Sequence, residues 1–106
     1  NYPRYNLVSV GDEAYRIEMA LPGWSKENIE VTQRKNTLKI EGKDKLTTSE
    51  EETYIHKGLS GKPFNREFSL GSWVEVDSCT FKDGMLVVDL SVNVPEAEKP
   101  KSINIG

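Results

Sequence analysis

The groups in this chain best able to do covalent or acid–base chemistry are few and far apart: one histidine, His56, one cysteine, Cys79, and a carboxylate run, Glu50 to Glu52. Catalysis of that kind needs a nucleophile beside a base, two titrating groups in unlike surroundings, or a metal. His56 and Cys79 fall on separate predicted strands with no third group to join them. Zinc needs about four ligands of the Cys and His kind, which the chain does not have. The carboxylates sit in a polar loop whose spacing specifies no calcium geometry, so they read as a solvated face. Gly58 and Gly61, around Leu59-Ser60, lack the Lys-Ser/Thr ending and the helix that hold a phosphate. The expectation is no enzyme, no cofactor and no metal, with Cys79 packing as a small hydrophobe beside Phe81.

Binding is what the spacing does offer. Pro95 and Pro100 restrict the backbone and remove amide donors, so the stretch from Val94 to Ser102 is expected to leave the globule as an extended arm. At its end stands Ile103-Asn104-Ile105. In an extended segment the two isoleucines share a face while Asn104 points the other way, which is how a strand-like peptide docks on a sheet edge. The plainer alternative is a frayed terminus that happens to contain isoleucine.

Arg66 is the other telling residue. It lies between Phe64 and Phe68 on what alternation makes the apolar face of a strand, where an unpaired guanidinium is costly. Its acceptors are either carbonyls or a carboxylate inside the same fold, or groups at a subunit interface, where arginine suits forked pairing. Glu41 or one of Glu50 to Glu52, from this chain or a second, are the candidate partners.

The elements that must position these residues are read from period-two alternation. Tyr15, Ile17, Met19 and Leu21 form one apolar face, closed by Pro22-Gly23; Trp24 to Asn28 is a loop. Ile29 and Val31 resume the alternation through Arg34, Lys35-Asn36 reverses the chain, and Thr37 to Lys43 completes a hairpin. Phe64 to Leu70 is a further strand, and Asp83-Gly84 joins Cys79 to Lys82 with Met85 to Val92. Leu7 to Val10 supplies one more, at an edge because of Pro3. Lys43 to Thr53 is a solvated excursion, after which Thr53 to Lys57 reads as a strand on an arm, either reaching a neighbouring subunit or folding back on its own sheet. No helix of useful length is predicted. Seven or so short strands at these spacings predict an all-β fold, an immunoglobulin-like antiparallel β-sandwich.

Composition sets the outer limits. With 106 residues the chain is one domain. A hydrophobic content of 36% against 29% charged suits a folded domain, and no apolar run approaches the roughly 20 residues of a membrane helix. The net charge of −3, with cations scattered, gives no footprint for a phosphate backbone, so nucleic acid is not an expected partner. A lone cysteine and no signal peptide make the cytoplasm the expected compartment. The chain opens at Asn1 without a methionine and reads as the ordered part of a longer polypeptide.

Four features together resemble the α-crystallin domain of the small heat shock proteins: Phe64-x-Arg66-x-Phe68-x-Leu70, the hairpin Cys79-x-x-x-x-Gly84-Met85-Leu86, the polar loop leading to Tyr54-Ile55-His56, and Ile103-x-Ile105. The opening Tyr2 to Leu7, Thr53-Tyr54 and Val94 to Pro100 are similar to the bacterial inclusion-body-binding proteins in particular. Gly71 departs from the proline common after Leu70, and Cys79 from a frequent alanine.

The resemblance implies an ATP-independent holdase that keeps unfolding clients refoldable for ATP-dependent chaperones downstream, and that assembles from dimers into larger homo-oligomers. It divides the chain into a sandwich over 1–93, with a dimerisation loop and strand over 43–62, and a C-terminal extension over 94–106. It places Ile103 and Ile105 in a groove between the strand of Ile29 and Val31 and the strand of Cys79 and Phe81 on a neighbour. It pairs the strand of Tyr54, Ile55 and His56 across the dimer with the partner's Leu7, Val8 and Val10; Arg66, from its own chemistry, is expected at a subunit interface or its margin. The alternatives are a p23-like co-chaperone or adaptor sandwich that binds one folded partner, and a ligand-binding sandwich with Trp24, Trp73 and Tyr15 as a platform.

Overall fold

The computed structural model describes residues 2–43, 53–59, 61–95, 97 and 100–106. Seven strands form: β1 (Tyr5–Ser9), β2 (Ala14–Ala20), β3 (Ile29–Arg34), β4 (Thr37–Gly42), β5 (Phe64–Ser69), β6 (Val74–Lys82) and β7 (Met85–Val92). All pairings are antiparallel, in a four-stranded sheet of order β1-β2-β7-β6 and a three-stranded sheet of order β3-β4-β5. The loop before β3 contains one 3-10 turn, Lys26–Asn28. No helix among the described residues is long and apolar enough to cross a membrane.

Each sheet turns one face to the other, and the alternation decides which. Ile17 and Met19 of β2, Leu38 and Ile40 of β4, and Leu86, Val88 and Leu90 of β7 are buried, with Leu21 and Trp24 closing one end. Each such side chain is worth about 1.5–3 kcal/mol of burial, so these rows hold the two layers together. Polar rows cover the outer faces: Lys39 pairs with Glu41 at 2.8 Å on β4, and Arg16 with Glu18 at 2.9 Å on β2. Trp24 is therefore core and not a platform, whereas Trp73 and Tyr15 are exposed.

The turns use backbone conformations that the sequence accommodates. Lys35 opens the β3–β4 turn with φ 54°, and Asp83-Gly84 joins β6 to β7 with φ 52° and 77°. Asp and Gly tolerate that region best, which is why Asp-Gly signals a hairpin. Gly42 serves a different need. A Cβ there would stand 2.7 Å from Phe64 Cδ1 and 2.8 Å from Trp24 Cη2. These two rings pack edge-on, centroids 5.4 Å apart, over the space a side chain would fill.

Two differences from the sequence reading stand out. The strand carrying Cys79 begins five residues earlier, at Val74, and is interrupted by a bulge between Val76 and Ser78. The bulge shifts the alternation by one, which hides the first half of the strand from a period-two reading. Residues 53–59 belong to neither sheet, so the strand expected over Thr53 to Lys57 is absent and the fold-back alternative is not realised. Strand character there depends on a ladder that Tyr54 and Ile55 do not find on their own sheets. Residues 44–52, including Glu50 to Glu52, lie outside the described residues.

Candidate functional site

A sandwich of two open sheets has two lateral seams, one between each pair of edge strands. The first lies between β3 and β6. Pairing puts Ile29, Val31 and Gln33 opposite Gly42, Ile40 and Leu38, and Cys79 and Phe81 opposite Val88 and Leu86, so all five face inward along the seam. Ile29, Val31 and Phe81 pack partly buried against the core. Cys79 is exposed, contrary to the expected packing beside Phe81. It stands on an edge strand, which is covered along one flank only. Desolvation still pushes its thiol above the ordinary value, with Lys26 offsetting part of the shift. A raised thiol holds less thiolate at neutral pH and is a sluggish nucleophile.

The second seam, between β1 and β5, is partly closed by a strap, the residues Tyr2 to Arg4 before β1. Pro3 is fully buried. The Tyr2 ring meets Phe64 edge-on at 5.9 Å, and Tyr5 meets Phe68 at 5.1 Å. Trp24 Nε1 donates to the Tyr2 hydroxyl at 2.9 Å. Arg66 lies between these ring pairs, its guanidinium 5.3 Å from the centre of the Tyr5 ring. Beyond the strap the seam opens into an apolar crevice of ≈ 440 Å³, bordered by Leu7, Tyr15, Phe68 and Leu70.

The Hsp20/alpha crystallin family model matches residues 8–106. The chain belongs to that family. Small heat shock protein HspH of Bradyrhizobium diazoefficiens is 39% identical over 106 residues, covering 100% of this chain and 69% of the relative. Small heat shock protein IbpA of Escherichia coli is 34% identical over 105 residues, covering 99% and 76%. Among solved structures, a C-terminally truncated small heat shock protein AgsA from Salmonella typhimurium superposes with a TM-score of 0.80 at 32% identity, covering 99% of this chain and 100% of that one. A small heat shock protein from Synechococcus phage S-ShM2 gives 0.75 at 41%, with the same coverage. A chaperone role follows from membership of this Hsp20 family.

Within this family member the predicted site residues divide by position. Ile29, Val31, Cys79 and Phe81 are brought together at the β3/β6 seam. Ile103 and Ile105 are 83% and 97% exposed, clear of the sandwich. Leu7 is exposed on the inward side of edge strand β1, Val8 is half-buried on its outer side, and Val10 is exposed just past its end. Tyr54, Ile55 and His56 are exposed, with Lys57 Nζ 5.3 Å from the Tyr54 ring centre.

The acceptor found for Arg66 is a backbone carbonyl of the same fold, one of the two local kinds considered for it, and not a carboxylate. Its Nη2 donates to the Pro3 carbonyl at 3.4 Å, and its Nε is buried with no partner among the described residues. Glu41 cannot serve. It pairs opposite Asn65 on the outer face, while Arg66 pairs opposite Ile40 on the inner one. Sequence reasoning missed the strap altogether; Pro3 is 63 residues from Arg66, and the only local sign was a Tyr-Pro-x-Tyr run with nothing to alternate against. It also missed Gln33, the polar third member of the Ile29-Val31 row.

Proposed function

We propose that this domain is an ATP-independent holdase, built from dimers joined into larger homo-oligomers, that binds exposed apolar segments of unfolding proteins. The observation that carries the reading is the coexistence in one chain of an apolar tail pair, Ile103 and Ile105, outside the fold and an open, partly apolar edge seam between β3 and β6. A tail of a second copy would lie in that seam, adding main-chain hydrogen bonds and two pegs. Two isoleucines contribute about 3 to 5 kcal/mol of apolar contact before ordering costs, so one arm binds weakly and exchanges fast. Several arms together hold an assembly that opens locally and uncovers seams for clients.

The dimer contact in this reading is the addition of the segment carrying Tyr54, Ile55 and His56 to the free edge of β1, at Leu7 to Val10. Tyr54 and Ile55 outside both sheets, and the edge position of β1, support it. Arg66 acts there from behind, by holding the strap that seats β1. The division at residues 93 and 94, a cytoplasmic setting and hand-over of clients to ATP-dependent chaperones belong to the same proposal. Light scattering of a heat-labile client without nucleotide tests it. Suppressed aggregation near equimolar protein is expected, and unaltered aggregation rejects the holdase reading.

A further inference from the structure

The β3/β6 seam is apolar for only part of its length, and the boundary is built. Gln33 Nε2 donates to the Val74 carbonyl at 2.9 Å, tying the edge of one sheet to the edge of the other. That carbonyl is an edge group: the Asn93 amide donates to the Trp73 carbonyl at 2.8 Å and Val74 pairs with Val92, so the polar groups of Val74 turn away from β7. Next along β6 comes the bulge between Val76 and Ser78, which breaks the even row of edge groups. At the other end, Lys82 pairs with Met85 across the two-residue turn. The pair flanking such a turn exchanges its hydrogen bonds inward, so parity sends the amides and carbonyls of Phe81 and Cys79 out to the open edge. The uninterrupted free edge of β6 is therefore Ser78 to Lys82, about the length needed by Ile103-Asn104-Ile105.

We infer that Gln33 is the register stop of this slot. Its amide occupies the Val74 carbonyl that an incoming strand needs in order to slide past the bulge, and it replaces an apolar contact after Val31 with a polar one. The tail of a second copy is thereby confined to the level of Cys79 and Phe81. Without the amide, a strand can shift by two residues and still turn its isoleucines inward, because the side-chain period is two. The inference rests on the tail-docking reading above and adds to it the residue that fixes the docking position.

Cys79 supplies the reporter. Single variants Lys101→Cys, Ile103→Cys and Ile105→Cys place a thiol at successive inward tail positions, and each retains at least one isoleucine. Cross-linking to Cys79 of another copy under a mild oxidant, with the chain carrying Cys79 alone as background, reads the register directly. With Gln33 present, one tail position is expected to dominate. Gln33→Ala and the near-isosteric Gln33→Glu, which cannot donate to the carbonyl, are expected to lower that dominance about three- to tenfold, the worth of one hydrogen bond, in favour of the next inward position. An unchanged pattern in both variants, or an already spread one with Gln33 in place, overturns the register stop while leaving docking intact. No cross-link above background at any of the three positions overturns docking itself. Gln33 is exposed, so its replacement leaves the core untouched.

Discussion

Arg66 and Pro3 are joined across the β1/β5 seam: the guanidinium Nη2 donates to the proline carbonyl at 3.4 Å while Nε is buried with no partner among the described residues. The contact is long and half-satisfied, yet the side chain also fills the space between Phe64 and Phe68. Its packing and its charge are therefore separable. Arg66→Ala is expected to cost about 2–4 kcal/mol, through lost packing and a loosened strap. Arg66→Met keeps the volume, removes the stranded donor and is expected to stay within about 1 kcal/mol of the parent. Urea unfolding of the two variants checks this, and equal destabilisation would show that the charge, not the volume, matters.

Ile103→Ala with Ile105→Ala removes both pegs from an arm that makes no contribution to the core. The expected result is an unaltered melting midpoint for the sandwich and a shift of the native mass toward dimers. Native mass spectrometry reads both species, and an unchanged size distribution rejects the peg-in-seam contact.

Gly42 faces the joint between Trp24 and Phe64, and even a methyl group there meets both rings. Gly42→Ala is expected to destabilise by about 1–3 kcal/mol through overpacking. The two rings would have to part, so tryptophan fluorescence of Trp24 should change along with the unfolding midpoint.

Glu18 accepts hydrogen bonds from Asn6 at 3.2 Å and from Arg16 at 2.9 Å, and these hold its carboxyl below the ordinary carboxylate value. A carboxylate with a lowered folded-state pKa stabilises fully above its unfolded value, and that stabilisation is lost as pH falls through the folded one. Glu18→Gln is therefore expected to flatten the acid limb of the stability profile while changing little below it. The site is partly exposed and the effect small, so urea midpoints followed from neutral to acid pH, at low salt, are the measurement.

Much of this fold was legible because its strands alternate strictly. Ile17-Met19-Leu21, Leu38-Ile40 and Leu86-Val88-Leu90 each name a buried face, and Asp83-Gly84 names a turn. What escaped depends on contacts that period-two reasoning cannot see. The bulge after Val76 changes parity within β6, so the strand appeared to start late. Cys79 has the right parity to be buried but belongs to an edge. The acceptor of Arg66 is a carbonyl 63 residues away, which the chemistry of arginine allows but no local pattern identifies. Among the proposed contact residues, the seam members were identified through family likeness; their being side by side is a consequence of β3 and β6 each ending its own sheet.

That arrangement of edges carries a consequence for growth. β1 and β6 bound the same four-stranded sheet on opposite flanks, so a neighbour added at one does not obstruct a neighbour added at the other. In the proposed assembly each subunit is then a bivalent node with two unlike junctions. Heating that loosens only the weaker kind would, on that proposal, fragment the particle into uniform pairs and leave no lone subunits, so that particle size would act as a thermometer.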